Sequence, residues 1–137
     1  MTSAVLGAGT LFKLGDSASP IVYTTIGEVV NIGPIGSTAE LVEVTNMDSG
    51  NDKEYIAGLQ DGDEVEIEFN WTKGTQQVAL RAAQNTTVPI QVTWPDSPAT
   101  TATFSYVVLK FGINPTTPGE AVTASVSGKI TGTITWA

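Results

Sequence analysis

Residues 64–71 decide the fold class of this 137-residue chain, and they read Glu-Val-Glu-Ile-Glu-Phe-Asn-Trp. Apolar and polar residues alternate without a break: Val65, Ile67, Phe69 and Trp71 are separated by Glu64, Glu66, Glu68 and Asn70. Successive side chains of a β-strand point to opposite faces of the sheet. The alternation therefore predicts a strand with one buried face and one solvated face.

The same period continues at the C-terminus, over residues 122–136. Gly128 and Gly132 fall on the apolar parity there, and they predict a bend, a bulge or a close neighbour. Weaker strand patterns cover Gly9–Leu14, Ile21–Ile32, Ala39–Thr45, Val88–Trp94 and Thr101–Phe111. The segments Ile21–Ile32 and Thr101–Phe111 are apolar on both parities at some positions, which is typical of central strands.

Composition supports the same fold class. The chain has 20 Thr, 14 Val and 10 Ile against 7 Leu, and branching at Cβ favours strands over helices. One segment, Thr75–Gln84, is rich in helix formers, with Thr75 as a plausible N-cap and an apolar stripe at Val78, Ala79, Ala82 and Ala83. We predict a mainly β chain, a two-sheet β-sandwich or partial barrel flanked by this short helix, in a single domain over residues 1–137.

Charge and missing residue types exclude several functions. The net charge is −8, which argues against binding DNA or RNA through phosphate contacts. Cys and His are both absent, so disulfides, thiolate zinc sites and imidazole catalysis are excluded. The sequence contains no Ser-x-x-Lys pair for catalysis and no apolar run long enough to span a membrane. The start Met1–Ser3 has no basic residue, so we expect no secretory signal. Convergent carboxylates for glycoside hydrolysis stay open, but a solvated acidic surface is the ordinary interpretation.

The stretch Asn46–Asp63 is longer than a hairpin connection requires, so we interpret it as a functional loop. It is acidic but also carries the apolar residues Met47, Tyr55, Ile56 and Leu59. Its carboxylates at 48–54 and 61–64 have the chemistry of calcium ligands, yet they do not follow the twelve-residue calcium loop. Turns are the favoured interpretation, and we predict neither a metal nor a cofactor.

Two motifs in this region carry a resemblance to a known family. Val44-Thr45-Asn46-Met47-Asp48-Ser49 is followed by Tyr55-Ile56-Ala57-Gly58-Leu59-Gln60-Asp61-Gly62. Together they resemble the V-T-x-x-D-S and (Y/F)-I-x-G-L-x-D-G elements of the major tail tube proteins of bacteriophages with long, non-contractile tails. In that family the first element opens a long loop and the second closes it before an acidic strand.

The resemblance implies a structural virion protein that is made in the host bacterial cytoplasm and has no catalytic residue. Its subunits would form hexameric rings that stack into a tail tube around a tape-measure protein, ending at tail terminator and distal tail proteins. Genomic DNA would pass through the lumen without specific binding, and no membrane would be involved. The ring-contact loop would consist of Met47, Asp48, Ser49, Asp52, Lys53, Glu54, Tyr55, Ile56 and Leu59.

The acidic strand offers a second candidate site. Glu64, Glu66 and Glu68 share one parity, so an acidic wall of the lumen is one interpretation, because negative charge keeps DNA phosphates off the wall. The outer surface, or cross-strand pairing with Lys129 or Lys73, is the alternative. The rival functions are a carbohydrate-binding β-sandwich that uses Trp94 and loop tyrosines, and a secreted adhesin or pilus-like subunit.

Overall fold

A computed structural model describes residues 7–16 and 20–137; Met1–Ser3, interpreted above as lacking a signal, lies outside the described residues. The described residues form nine β-strands and one α-helix. In chain order these are β1 (Leu11–Gly15), β2 (Tyr23–Thr25), β3 (Val29–Ile32), β4 (Ser37–Glu43), β5 (Tyr55–Gly62), β6 (Glu64–Asn70), α1 (Thr75–Ala82), β7 (Thr87–Thr93), β8 (Thr101–Ile113) and β9 (Thr123–Trp136).

The strands form two antiparallel sheets. The larger sheet has seven strands in the order β2-β1-β7-β8-β9-β6-β3, and the smaller one contains β4 and β5. Strands from both halves of the larger sheet contribute to a single core, with Phe12 from β1 and Phe69 from β6 both buried in it. The chain is therefore mainly β, in two sheets with one short helix, as predicted.

The strand at residues 64–71 confirms the alternation. Val65, Ile67 and Phe69 are buried in the core, while Glu64 and Glu66 are exposed on the other face. Trp71 follows the end of β6 and packs against the core, with its ring 5.7 Å from that of Phe111 in an edge-to-face arrangement.

The centre of the large sheet depends on Gly128, which lies in β9 between Val108 of β8 and Val65 of β6. A Cβ built at Gly128 would lie 2.6 Å from the ring of Tyr106 and 2.2 Å from the carbonyl oxygen of Val107. The bare backbone lets the Tyr106 ring cross β9, so that its hydroxyl donates to the carbonyl oxygen of Val65 at 2.5 Å. Gly128 therefore has the close neighbour that its parity predicted.

A bulge accounts for the second glycine of β9. Gly132 has φ = +77°, and the pairing of β8 with β9 changes register between Ser105↔Thr131 and Thr103↔Thr135. Beyond this irregularity Ile134 still packs against the core, but its side chain is only partly buried. Trp136, which the alternation placed on the apolar parity, is 54% exposed.

The segment Ile21–Ile32 is not one central strand. It breaks into β2 and β3, which lie at opposite edges of the seven-stranded sheet. The break occurs after the buried Ile26, where Glu28 adopts φ = +59°. Its apolar residues on both parities therefore come from two short edge strands, whereas Thr101–Phe111 is central as predicted, between β7 and β9.

The helix is present, but its buried face differs from the predicted stripe. It ends at Ala82 rather than Gln84, and its N-cap is Gly74 rather than Thr75. Ala79 and Ala82 are exposed, while Leu80 and the polar Gln77 are buried. The apolar Leu80 and the hydrogen-bonded Gln77 thus define the buried face of the helix, in place of the predicted stripe.

Gln77 joins the helix to the sheet through both ends of its amide. Its Oε1 accepts from the backbone N–H of Thr72 at 3.0 Å, and its Nε2 donates to the carbonyl oxygens of Asn70 at 2.9 Å and Gly27 at 3.2 Å. A buried amide is tolerated when its donors and acceptors are satisfied. No α-helix among the described residues is long and apolar enough to span a bilayer.

Candidate functional site

The predicted contact loop is largely a β-hairpin. Half of the stretch Asn46–Asp63 is strand β5, which pairs antiparallel with β4, so the prediction of one long loop was wrong. Strand β5 reads Tyr-Ile-Ala-Gly-Leu-Gln-Asp-Gly, in which turn-forming residues interrupt the apolar ones, so it shows no strand-like alternation. We call residues 37–62 the arm, since β4 and β5 form a sheet of their own.

The first family-like motif builds the tip of the arm. Asn46 caps a 3₁₀ helix over Met47–Ser49, with its side-chain oxygen accepting from the backbone N–H of Asp48 at 2.8 Å. The Ser49 hydroxyl accepts from the backbone N–H of Asn46 at 3.0 Å and donates to Glu54 at 2.8 Å. These bonds satisfy polar groups locally, so the tip has an ordered shape without contacting the body of the chain.

The second motif builds a bulge in β5. The register of β4 with β5 shifts between Ala39↔Gln60 and Leu41↔Ala57, which leaves one extra residue on β5. Gly58 lies at this shift, and a Cβ there would lie 2.9 Å from the side chain of Val42. Bulges re-aim neighbouring side chains, and Leu59, the next residue, is 84% exposed.

The arm carries its apolar side chains in solvent. All seven residues of β4 are exposed, and Met47 at the tip is fully exposed. Large apolar residues that the isolated chain leaves exposed on the arm are Leu41, Val42, Val44, Met47, Tyr55, Ile56 and Leu59. Exposed apolar side chains gathered on one element in this way are typical of contact surfaces.

The root of the arm is attached to β9. The backbone N–H of Ile130 donates to the carbonyl oxygen of Asp63 at 3.1 Å, and Lys129 forms an ion pair with Asp61 at 3.2 Å. A Cβ at Gly62 would lie 2.4 Å from the carbonyl oxygen of Ile130. Glycine is thus required at this position for the arm to approach the body closely.

The structure brings all the predicted contact residues onto this arm. Met47, Asp48 and Ser49 form the 3₁₀ helix, Asp52, Lys53 and Glu54 complete the tip, and Tyr55, Ile56 and Leu59 lie on β5. Sequence reasoning missed Leu41, Val42 and Val44 as exposed apolar residues of the same arm. The available signal was that Leu41 and Val42 lie on opposite faces of β4, because a strand that is exposed in the monomer has no reason to be apolar on both faces.

The acidic face lies on β6, on the side of the sheet away from the core. The register places Lys129 opposite Glu64, Ser127 opposite Glu66 and Ser125 opposite Glu68. This face therefore carries a lysine as well as the three glutamates.

Burial, and secondly the negative charge of Glu66, raises the pKa of Tyr106 well above its ordinary value.

Other chemistry is sparse in the part of the chain that the structure describes. No group of three or more His, Cys, Asp or Glu side chains in residues 7–16 and 20–137 is arranged to hold a metal ion. Trp94 and Trp136 stack on each other with ring centroids 5.9 Å apart and planes inclined by 20°. One face of each ring is thus covered by the other ring.

Several solved structures have a similar fold. The virion of a native gene transfer agent particle contains a chain that matches with a TM-score of 0.73 at 18% identity, covering 98% of this chain and 99% of that chain. The SPP1 tail tube matches with a TM-score of 0.70 at 11% identity, covering 97% and 78%. The baseplate of the anti-feeding prophage matches with a TM-score of 0.68 at 7% identity, covering 100% and 97%.

These identities are low, so the structural matches show a shared fold. A comparison with curated protein sequences gives no significant match. The family model described as "Lambda phage tail tube protein, TTP" matches residues 7–137, which is nearly the whole chain. The fold, the two motifs on the arm and this match agree: the chain belongs to the lambda phage tail tube protein family.

Proposed function

We propose that the chain, as a single domain over residues 1–137, assembles into hexameric rings that stack into the tail tube of a virion. As a member of the tail tube family it is a structural virion protein. The tubes of the gene transfer agent and of SPP1, which share its fold, support the assembly into stacked rings.

The exposed arm is the observation that carries this proposal. A two-stranded hairpin is marginally stable alone in water, because it buries little apolar area. Here the hairpin leaves Leu41, Met47 and Leu59 largely in solvent, at 70%, 100% and 84% exposure. Covering one such side chain contributes about 1.5–3 kcal/mol, so contact with another copy is the arrangement that stabilises the arm.

A tail tube would also have partners other than copies of this chain. Its lumen would enclose a tape-measure protein, and its ends would meet tail terminator and distal tail proteins. Genomic DNA would pass through the lumen without specific binding, and the chain would act without catalysing a reaction. The excess of acidic residues supports a non-adhesive role, because the DNA backbone is repelled by negative charge.

The arm can be tested with a double variant and a matched control. Met47→Ser with Leu59→Ser removes two exposed apolar side chains that contact nothing needed for folding of the body. We expect a folded monomer with no tubes in negative-stain images and no pelleting at concentrations where the wild type assembles. The control, Val22→Ser with Ile113→Ser, removes apolar side chains outside the arm that are 57% and 51% exposed, and it should still form tubes. Normal tubes from the arm variant would show that the arm has no role in assembly.

We further propose that Glu64, Glu66 and Glu68 line the lumen. Replacing the three with Gln keeps their size and removes the charge, so assembly should be normal. Slower DNA ejection by virions carrying this variant, with the largest difference at low salt, supports a luminal position because salt screens such charges. Ejection at the wild-type rate at low salt would place the three residues on the outer surface.

A further inference from the structure

The charge of this chain is distributed unequally along its length. Residues 1–68 contain twelve acids and two bases, whereas residues 69–137 contain two acids and four bases. Within the first part, the arm alone holds six acids and one lysine. The apolar surface of the arm is therefore surrounded by negative charge, and the surface that receives it must tolerate that charge or compensate it.

The longest acid-free stretch of the sequence surrounds the helix. Residues 69–95 contain Lys73 and Arg81 and no Asp or Glu. Lys73 precedes α1 and Arg81 lies in its last turn, and both are exposed. Among the residues that the structure describes, neither has a carboxylate within ion-pairing distance, since the ion pair found there joins Lys129 to Asp61.

Arg81 is held in position although it is exposed. Its guanidinium carbon lies 5.5 Å from the centre of the Trp71 ring, and Trp71 is fixed in turn against Phe111. This contact between cation and ring restrains a side chain that would otherwise sample many rotamers. A restrained guanidinium loses less entropy when it binds a carboxylate with two parallel hydrogen bonds.

The face of α1 beside these charges lacks a partner in the isolated chain. Ala79 and Ala82, which the sequence placed in the core, are exposed on it, and Leu80 and Gln77 occupy the opposite, buried face. Short side chains leave room for the larger residues of an approaching element. The arm offers the complementary set, because Met47, Asp48 and Asp52 are all exposed at its tip.

We propose that the arm of one copy docks on the exposed face of α1 in a second copy, where Asp48 and Asp52 pair with Arg81 and Lys73. The inference rests on the proposed function, because it names the surface that receives the arm. The two contacting surfaces are different parts of the chain, so each copy donates one arm and accepts another. When it repeats in one direction, such a head-to-tail contact closes into rings or continues as a stack.

Charge reversal provides the test. The helix-reversed variant carries Lys73→Glu and Arg81→Glu, and the arm-reversed variant carries Asp48→Lys and Asp52→Lys. Each variant alone would face like charges at the contact, so its critical concentration for tube formation should increase at least about tenfold, as expected for the loss of a close ion pair. A 1:1 mixture restores attraction in both directions, and we expect the mixture to form tubes that contain both variants.

A matched control and a milder variant keep the test decisive. Lys13→Glu with Lys110→Glu changes the net charge by the same amount on β1 and β8, and it should assemble like the wild type. If a reversed variant is not folded by circular dichroism, Lys73→Gln with Arg81→Gln replaces it; assembly of that variant should depend less on salt than assembly of the wild type.

The outcomes separate the two proposals. A mixture that fails to assemble, or a control that is impaired as strongly as the helix-reversed variant, overturns docking on α1. An unchanged salt dependence in the glutamine variant overturns it as well. If the wild type forms tubes but the 1:1 mixture of the two reversed variants does not, docking on α1 is wrong and the tail tube function is retained. A wild-type chain that never forms rings or tubes overturns the proposed function itself.

Discussion

The strongest stability prediction concerns Gly128→Ala at the centre of the large sheet. The added methyl group would lie 2.2 Å from the carbonyl oxygen of Val107 and 2.6 Å from the Tyr106 ring. Both distances are far below van der Waals contact, and one of the two neighbours is backbone in the β8–β9 ladder. The sheet cannot accommodate the methyl group by rotating one flexible side chain.

Two effects set the magnitude. Overpacking a dense core costs about 1–3 kcal/mol. Displacing the Tyr106 ring also breaks the hydrogen bond from its hydroxyl to Val65 and leaves that buried hydroxyl unsatisfied, which costs about 1–3 kcal/mol more. A total of about 2–6 kcal/mol is a large part of the roughly 5–15 kcal/mol that stabilises a domain. For a chain of this length we expect Tm to fall by about 6–20 °C.

Thermal unfolding of the monomer, followed by circular dichroism, measures this effect. Gly112→Ala is the matched control, since Gly112 lies in the adjacent strand and a Cβ there has no atom within 4 Å. The control should melt within about 2 °C of the wild type, or slightly above it, because alanine lowers the entropy of the unfolded chain. A Gly128→Ala variant that melts together with its control would refute the packing argument.

Three further predictions concern the buried Tyr106, the buried Gln77 and the two faces of α1. Burial in the folded state raises the pKa of Tyr106 and keeps its hydroxyl neutral. The stabilisation that this group contributes is therefore complete below the unfolded-state pKa of about 10 and is lost as pH rises above it. Urea unfolding of Tyr106→Phe should show a weaker fall in the free energy of unfolding from pH 9 to pH 11 than the wild type. Gln77→Ala should lower the free energy of unfolding by about 2–3 kcal/mol by leaving buried backbone groups unpaired, whereas the exposed Gln84→Ala should change it little. Ala82→Asp should be tolerated within about 0.5 kcal/mol, as at other surface positions, while Leu80→Asp, which buries a carboxylate, should prevent folding.

The sheet could be predicted from sequence wherever one face is buried and the other is wet. β6 and the first part of β9 obey this condition, and their alternation located both strands and the buried side chains Val65, Ile67 and Val126. The pattern fails where its physical basis is missing. β2 and β3 are short edge strands, and the break between them depends on the backbone conformation at Glu28 rather than on hydrophobicity.

The arm and the helix show a different limit. The apolar residues of β5 are exposed in the isolated chain and do not alternate with polar ones, so they predicted a contact element but not a strand. On α1 the buried residues are Leu80 and Gln77, and Gln77 bonds to the nearby Asn70 and to the distant Gly27. The sequence pattern does not distinguish a glutamine with such partners from one in solvent, and it placed Ala79 and Ala82 on the buried face although both are exposed.

The open edge of β4 has a consequence for the free subunit. In the described part of the chain β4 pairs with β5 alone, so its other side presents unpaired N–H and C=O groups together with apolar side chains. Such an edge is a template for pairing with any identical edge, and this is how soluble chains aggregate. Glu40 and Glu43 lie on this strand, and two arms in contact would bring these like charges together. The acidity of the arm thus protects newly made subunits from one another until they assemble.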